Sequence, residues 1–186
     1  MRADARRNRE RLLDAAVEMV LEVGGEPTRD AIASRAGLGI ATLYRHFPDR
    51  QDLLAAVARH VLDRAIAAGE EAVAGNTDGV DALREYMHRA VDGGLGALGL
   101  VYPLLEQPGW PEHRERAERF LAAMLERAGS DGRLRGDVPA ADVAFAIIRF
   151  CRPLAVGRPQ ADERAIAHRH IDTYVDGLTD AQARGR

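Results

Sequence analysis

Apolar side chains recur every three or four residues over most of the chain, which is the pattern of amphipathic α-helices. The first such segment covers residues 6–23 and places Leu13 and Val17 on one face. It ends at Gly24 and Gly25, because glycine readily adopts the left-handed conformation that closes a helix. The pattern predicts an all-α fold.

Two short helices follow, separated by a glycine turn. Pro27 and Thr28 open the first of them, since a threonine hydroxyl accepts a hydrogen bond from an unpaired backbone N–H at a helix start. Gly37 ends it, and residues 40–47 form the next, which Pro48 ends. Two short helices joined by so tight a turn are typical of a helix-turn-helix.

The side chains of this segment suit a close crossing of two helices. Ala33 and Ala36 are small, and Leu38 and Leu43 fill the core beneath the first helix. The outer face of residues 39–46 is then free to enter a DNA major groove, which admits one helix.

Five further amphipathic segments complete the chain. Asp49 is the expected N-cap of a fourth helix, which fades near Gly69. The remaining helical segments are predicted at residues 78–105, 112–129, 140–155 and 162–179. The last two carry wide apolar faces.

A glycine-rich stretch interrupts the helical pattern at residues 93–99. Gly94, Gly96 and Gly99 match the G-x-G-x-x-G of dinucleotide-binding proteins. That fingerprint requires a preceding strand and a parallel sheet, whereas residues 82–91 form a helix, so we reject it. The stretch either breaks a helix or lines the wall of a pocket, and the pattern does not choose between the two.

The distribution of charge along the chain indicates what kind of partner the protein binds. The chain has 186 residues, 26 of them basic and 29 acidic, and every basic residue is arginine. Five arginines fall within residues 1–11, against Asp4 and Glu10. A basic arm on an acidic chain suggests a polyanion near the N-terminus, although charge taken alone favours a frayed, solvated tail.

Several chemistries are excluded or disfavoured. The single cysteine, Cys151, forms no internal disulfide and is expected to be a packed thiol. His168 and His170 stand two apart, which points them to different sides of a helix, so a solvated face is expected and no metal site. The sequence predicts no cofactor. It shows neither a secretory signal nor an apolar run long enough for a membrane span, so we expect a cytoplasmic protein.

Residues 28–54 carry the most specific signal, TRDAIASRAGLGIATLYRHFPDRQDLL. Its elements are T-x-x-x-I-A-x-x-A-G, then T-L-Y-x-H-F, then a basic residue and a pair of leucines. This segment resembles the DNA-binding region of the tetracycline-repressor-like (TetR) transcriptional regulators. The resemblance is specific over roughly residues 8–60.

The resemblance implies a helix-turn-helix DNA-binding domain over residues 1–50 and a helical effector-binding and dimerisation domain over residues 51–186. It implies a sequence-specific transcriptional regulator, a repressor that a small-molecule effector releases. It also implies a homodimer on a palindromic double-stranded operator, with the last two helices of each chain forming a four-helix bundle.

Roles follow by position in the motif. The residues expected to contact DNA are Thr28, Arg29, Gly39, Ile40, Ala41, Thr42, Tyr44, Arg45, His46 and Arg50. Tyr44, His46 and Arg50 are expected on phosphates, the last where the family often has lysine. The first turn of the recognition helix offers few hydrogen bonds to bases, so discrimination is expected from Arg29, Arg45, thymine methyl contacts and DNA shape.

Effector candidates are the large apolar and aromatic side chains of the second domain. They are Met87, Leu95, Leu98, Tyr102, Trp110, Phe120 and Met124. Plain core packing is the alternative role for each, although pockets are built mainly from such side chains.

Two other function classes remain open at this point. A helical interaction module that has lost DNA binding is compatible with Gly39, Ile40 and Ala41, since these residues offer few hydrogen bonds to bases. A small nucleotide-using enzyme would need catalytic polar groups near the glycine-rich stretch, where the chain offers only a few: Tyr102, Glu106 and Gln107.

Overall fold

A computed structural model of the chain describes residues 2–106, 109–130, 132–135, 138–153 and 159–179. Within these residues the regular elements are helical, which confirms the all-α prediction. The α-helices are α1 (Arg2–Val23), α2 (Arg29–Arg35), α3 (Ile40–His46), α4 (Arg50–Gly75), α5 (Gly79–Asp92), α6 (Gly96–Val101), α7 (Pro111–Ser130), α8 (Ala140–Cys151) and α9 (Gln160–Leu178). A short 3-10 turn, Tyr102–Leu104, follows α6.

Helices α1 to α3 form a small head with its own core. Thr28 caps α2 as expected, its hydroxyl accepting a hydrogen bond from the Ala31 N–H at 3.3 Å. Gly37 turns the chain between α2 and α3 with φ of +63°, a conformation that disfavours side chains. Leu43 and Phe47 are buried against α1 and α2.

The head departs from the sequence prediction at its N-terminus. Helix α1 begins at Arg2, so the basic segment is helical and the expectation of a frayed tail is wrong. Arg11 helps to fix this helix, because its guanidinium donates to the Ala36 carbonyl at 2.6 Å and so joins α1 to the end of α2.

Helix α4 also runs further than predicted, to Gly75 instead of fading near Gly69. A Cβ at Gly69 would lie 2.5 Å from the Phe120 ring. This glycine therefore makes room for α7 and does not end the helix. Phe120 in turn packs edge-on against Tyr86 of α5, with the ring centroids 4.7 Å apart.

The glycine-rich stretch is a turn and a contact point. It ends α5 and begins α6, and Gly94 adopts φ of +80°. A Cβ at Gly94 would lie 2.6 Å from the Val17 Cγ1 of α1, and a Cβ at Gly96 would overlap the Cys151 carbonyl of α8. Glycines here let α6 lie against both helices.

Helices α5 and α9 meet through a polar cluster that the sequence did not predict. The His88 and His168 rings stack, with their Nδ1 atoms 2.5 Å apart. His88 Nε2 lies 3.0 Å from Asp172 Oδ1, and His168 Nε2 lies 3.1 Å from Asp92 Oδ1. His168 is therefore half-buried, and the expected solvated role is wrong for it, whereas His170 is exposed.

Three more sequence expectations can be placed. Cys151 is half-buried and packs against the apolar core, as expected of a packed thiol, and burial raises its pKa to about 12. The predicted helix over residues 140–155 is described only as far as Cys151, since residues 154 and 155 lie outside the described residues.

Over the described part of the chain, none of the helices combines the length and apolar character needed to cross a bilayer.

Candidate nucleic-acid interface

The outer face of α3 is open to solvent. Leu43 is fully buried, and the side chains around it that point away from the core are accessible. Gly39, Ala41, Tyr44 and Arg45 are exposed, and Ile40, Thr42 and His46 are half-buried. The face that the sequence analysis assigned to the groove is therefore not covered by the described parts of the chain.

Two side chains of that face are already paired along the helix. The Arg45 Nη2 donates a hydrogen bond to the Thr42 Oγ1 at 3.0 Å. Residues three apart in a helix are neighbours on its surface, so this pair lies on one side of α3. Arg45 and His46 occupy the last turn of α3, where positive charge also suits the helix dipole.

Helix α2 contributes an arginine to the same surface. The Arg29 guanidinium carbon lies 5.0 Å from the centre of the Tyr44 ring, and its Nη1 donates to the Pro48 carbonyl at 3.4 Å. A guanidinium over an exposed aromatic ring gains about 0.5–1 kcal/mol. The structure thus brings together Arg29 and Tyr44, which the sequence separates by a whole helix.

Arg50 lies at the start of α4 and is engaged by an acid that the sequence analysis missed. Its guanidinium makes two hydrogen bonds to Glu26, at 2.8 and 2.6 Å. The Glu26 carboxylate raises the pKa of Arg50, which keeps the guanidinium charged. Exposed ion pairs are weak, so a phosphate can replace Glu26, but the charge of Arg50 is partly compensated in the free protein.

Arg9 of α1 is another residue that sequence reasoning did not single out. Its guanidinium carbon lies 5.2 Å from the centre of the Phe47 ring, at the end of α3. The basic first turns of α1 therefore lie beside the recognition helix. The cluster of arginines in residues 1–11 was the available signal, but only the fold shows which helix it accompanies.

Ion pairs join α1 and α2 behind this surface. Arg35 of α2 pairs with Glu22 of α1 at 2.7 Å and with Glu18 at 3.4 Å. The hydrogen bonds from Arg35 lower the pKa of Glu22. The pairs fix α2 against α1 and leave the α3 face unobstructed.

The seven effector candidates line neither of two cavities found among the described residues. Met87, Leu95, Leu98, Phe120 and Met124 are buried, whereas Tyr102 is exposed and Trp110 half-buried. A cavity of about 390 Å³ between α1, α4, α8 and α9 is lined by other residues, and so is one of about 680 Å³ on α8 and α9. The effector-site assignment stays a prediction. Among the described residues, no three His, Cys, Asp or Glu side chains are arranged to hold a metal.

Comparison with known proteins agrees with this geometry. The family model for "Bacterial regulatory proteins, tetR family" matches residues 12–57. The HTH-type transcriptional repressor LfrR of Mycolicibacterium smegmatis is 31% identical over 179 residues, which is 93% of this chain and 89% of LfrR.

Solved structures extend the likeness to the whole fold. A TetR transcriptional regulator from Streptomyces coelicolor is 28% identical with a TM-score of 0.69, covering 93% of this chain and 99% of that one. LfrR from Mycobacterium smegmatis, solved in complex with proflavine, is 26% identical with a TM-score of 0.60, covering 90% and 96%. Because the likeness to LfrR spans both the head and the remaining helices, the chain belongs to the tetR family of bacterial regulatory proteins and is a DNA-binding transcriptional regulator.

Proposed function

We propose that this protein is a repressor that binds a palindromic operator as a homodimer and leaves it when a small organic effector binds. The open outer face of α3 carries the proposal, since a buried face could not enter a groove. The ten DNA-contact residues named from the sequence are proposed as its interface. We propose that the protein is not an enzyme and that it acts on DNA in the cytoplasm.

The homodimer is supported by apolar side chains on α8 and α9 that the described parts of the chain leave accessible to solvent. Phe145 is 64% exposed, and Phe150 and Tyr174 pack edge-on with ring centroids 5.3 Å apart. Large exposed apolar patches commonly mark protein–protein interfaces. A two-fold dimer also matches the two-fold symmetry of a palindromic site.

The effector is supported by the relative that carries a ligand. LfrR was solved with proflavine, so a closely similar fold holds a small aromatic molecule. An effector that prefers the conformation with lower DNA affinity shifts the population away from the operator.

The test begins with selection of genomic fragments that the purified protein retains, followed by fluorescence anisotropy on the best fragment at two salt concentrations. We expect affinity to fall as salt rises, because phosphate contacts release counterions. Failure to retain any fragment would favour the interaction module that has lost DNA binding.

A matched pair of tyrosine variants locates the interface. Tyr44→Phe removes a hydroxyl from the α3 face and should weaken binding to all sequences similarly, whereas Tyr102→Phe should not. The two tyrosines have nearly equal exposure, 49% and 45%, so loss of an exposed hydroxyl is common to both. Equal effects would contradict the proposed interface.

A further inference from the structure

A cavity of about 390 Å³ opens between the DNA-binding head and the rest of the molecule. Helix α1 forms one wall, with Val17 and Leu21, and α8 and α9 form the other, with Phe150 and Ala167. Its volume falls within the range of small-molecule sites, about 300–1,000 Å³. It lies apart from the seven effector candidates.

The glycine turn shapes the floor of this cavity. Gly93 and Gly94 line it, and the backbone at Gly94 passes so close to Val17 that a Cβ would lie 2.6 Å from the Val17 Cγ1. A side chain at Gly94 would fill part of the space beside α1. The cavity is therefore bounded by backbone at the point where the head meets the body, which comprises α4 to α9.

The acids that line the cavity are already engaged. Asp14 lies 2.9 Å from His60 Nε2 and 3.2 Å from Arg64 Nη1. Glu18 pairs with Arg35, Asp92 lies 3.1 Å from His168 Nε2, and Glu163 also has an interaction partner. Each of these carboxylates therefore already has a partner within the protein.

Two arginines that line the cavity differ from these acids in their interactions. Arg152 follows the end of α8, and Arg164 lies in α9. Across the described ranges of the chain, neither guanidinium has a hydrogen bond or an ion pair. The uncommitted charge at this cavity is therefore positive, although its acids outnumber its arginines.

We propose that this cleft binds an organic anion with a flat apolar body and one carboxylate. The body would lie against Val17, Leu21 and Phe150, and the carboxylate would accept hydrogen bonds from Arg152 and Arg164. Guanidinium groups bind carboxylates through paired N–H donors, which gives this recognition both strength and direction.

The location gives the site a regulatory consequence. An occupant contacts α1 of the head together with α8 and α9 of the body, so it fixes the orientation of one relative to the other. This consequence rests on the proposed function, because it requires that the head binds DNA. Binding of a ligand to the cleft itself does not depend on the proposed function.

Isothermal titration calorimetry of the full-length protein with naphthalene-2-carboxylate tests the cleft without DNA. We expect saturable binding that the double variant Arg152→Ala/Arg164→Ala weakens about tenfold or more, since charge-assisted hydrogen bonds are lost. Arg169→Ala is the matched control, an exposed arginine of α9 outside the lining, and should bind as the unmodified protein does. Leu21→Trp should also lose binding, because its ring occupies the cavity.

The cation naphthalen-2-ylmethanamine carries the same ring system and should not bind. Equal binding of the two probes, or unchanged binding by the double arginine variant, would overturn the proposal. Operator anisotropy with and without naphthalene-2-carboxylate then measures the coupling. A protein that binds no DNA would refute the proposed function while the calorimetry still decides the cleft.

Discussion

At the scale of single residues, the proposed DNA-contact surface contains side-chain pairs that span different elements. Arg29 lies over Tyr44, and Arg50 is bound by Glu26. The sequence analysis identified three of these four residues from the motif. It could not identify Glu26, because a carboxylate in a loop becomes a partner of α4 only when the fold brings the two together.

The Arg50–Glu26 pair predicts opposite effects for its two members. Arg50→Ala should weaken DNA binding severalfold on every sequence and reduce the salt slope by about one, as for a lost phosphate contact. Glu26→Gln should strengthen binding, because Arg50 is no longer compensated. Anisotropy over a salt series measures both.

Arg114→Ala serves as the control for overall charge, since Arg114 lies on α7 and pairs with Glu118 there. A loss after Arg50→Ala that is confined to particular base pairs would instead indicate a base contact.

Two glycines of one segment are expected to respond with opposite sign. Gly94→Ala should lower the free energy of unfolding by about 1–3 kcal/mol, because φ is +80° and the new Cβ meets Val17. Gly99→Ala should raise it by up to about 1 kcal/mol, since Gly99 is inside α6 and its Cβ would make an ordinary 3.6 Å contact with Ile148. Urea unfolding of the two variants, with equal m-values, measures the difference. Stabilisation by Gly94→Ala would show that the close approach to α1 is not maintained in solution.

At the scale of elements, periodicity predicted where helices occur but not always where they begin or end. The segment at residues 112–129 was close to the observed α7, Pro111–Ser130. The end of α4 was misplaced because Gly69 reads as a stop signal in sequence, whereas in the fold it accommodates the Phe120 ring. Whether a helical glycine ends a helix or makes room for a neighbour depends on packing that local sequence does not contain.

The apolar faces of α8 and α9 predict that the protein is a homodimer. Phe145→Glu should convert a dimer to a monomer, because it places a charge in the centre of an apolar contact. Val23→Glu is the control, since Val23 is also a large exposed apolar residue, at 52%, but lies at the end of α1. Light scattering at micromolar concentration distinguishes the two. A dimer that persists in the Phe145 variant would place the interface elsewhere.

At the scale of the whole molecule, carboxylates hold α5 at its start and along its length. Asp78 caps its start, accepting hydrogen bonds from the Val80 and Asp81 N–H groups and pairing with Arg133. Asp172 of α9 binds Arg84 and His88 further along. Burial raises the pKa of each carboxyl, but these hydrogen bonds outweigh it, so both pKa values are lowered.

These lowered pKa values predict a loss of stability in acid. A carboxyl whose pKa is lower in the folded state contributes its full stabilisation above its ordinary pKa of 3.8, and loses it as the pH falls through the folded value. The free energy of unfolding should therefore fall steeply below about pH 4. Asp172→Asn should flatten this dependence in urea titrations, and Glu115→Gln, on the exposed side of α7, should not. An unchanged slope in the Asp172 variant would contradict the role assigned to this contact.

The division of the chain at residue 50 stays a prediction at this scale. Helix α4 begins there and continues into the body, and α1 contacts α6 as well as the other helices of the head. Head and body are thus linked by a continuous helix and by the glycine turn at Gly94.

The sequence by itself determined the helical class and the helix-turn-helix, and it predicted the residues of the recognition face. These are local properties, because apolar spacing, an N-cap at Thr28 and a glycine at Gly37 act within a few residues of themselves. Only the tertiary structure decided which charges are compensated, why Gly69 and Gly94 are glycines, and where a cavity opens between head and body. Those features depend on side chains distant in sequence, whose contacts arise only when helices pack.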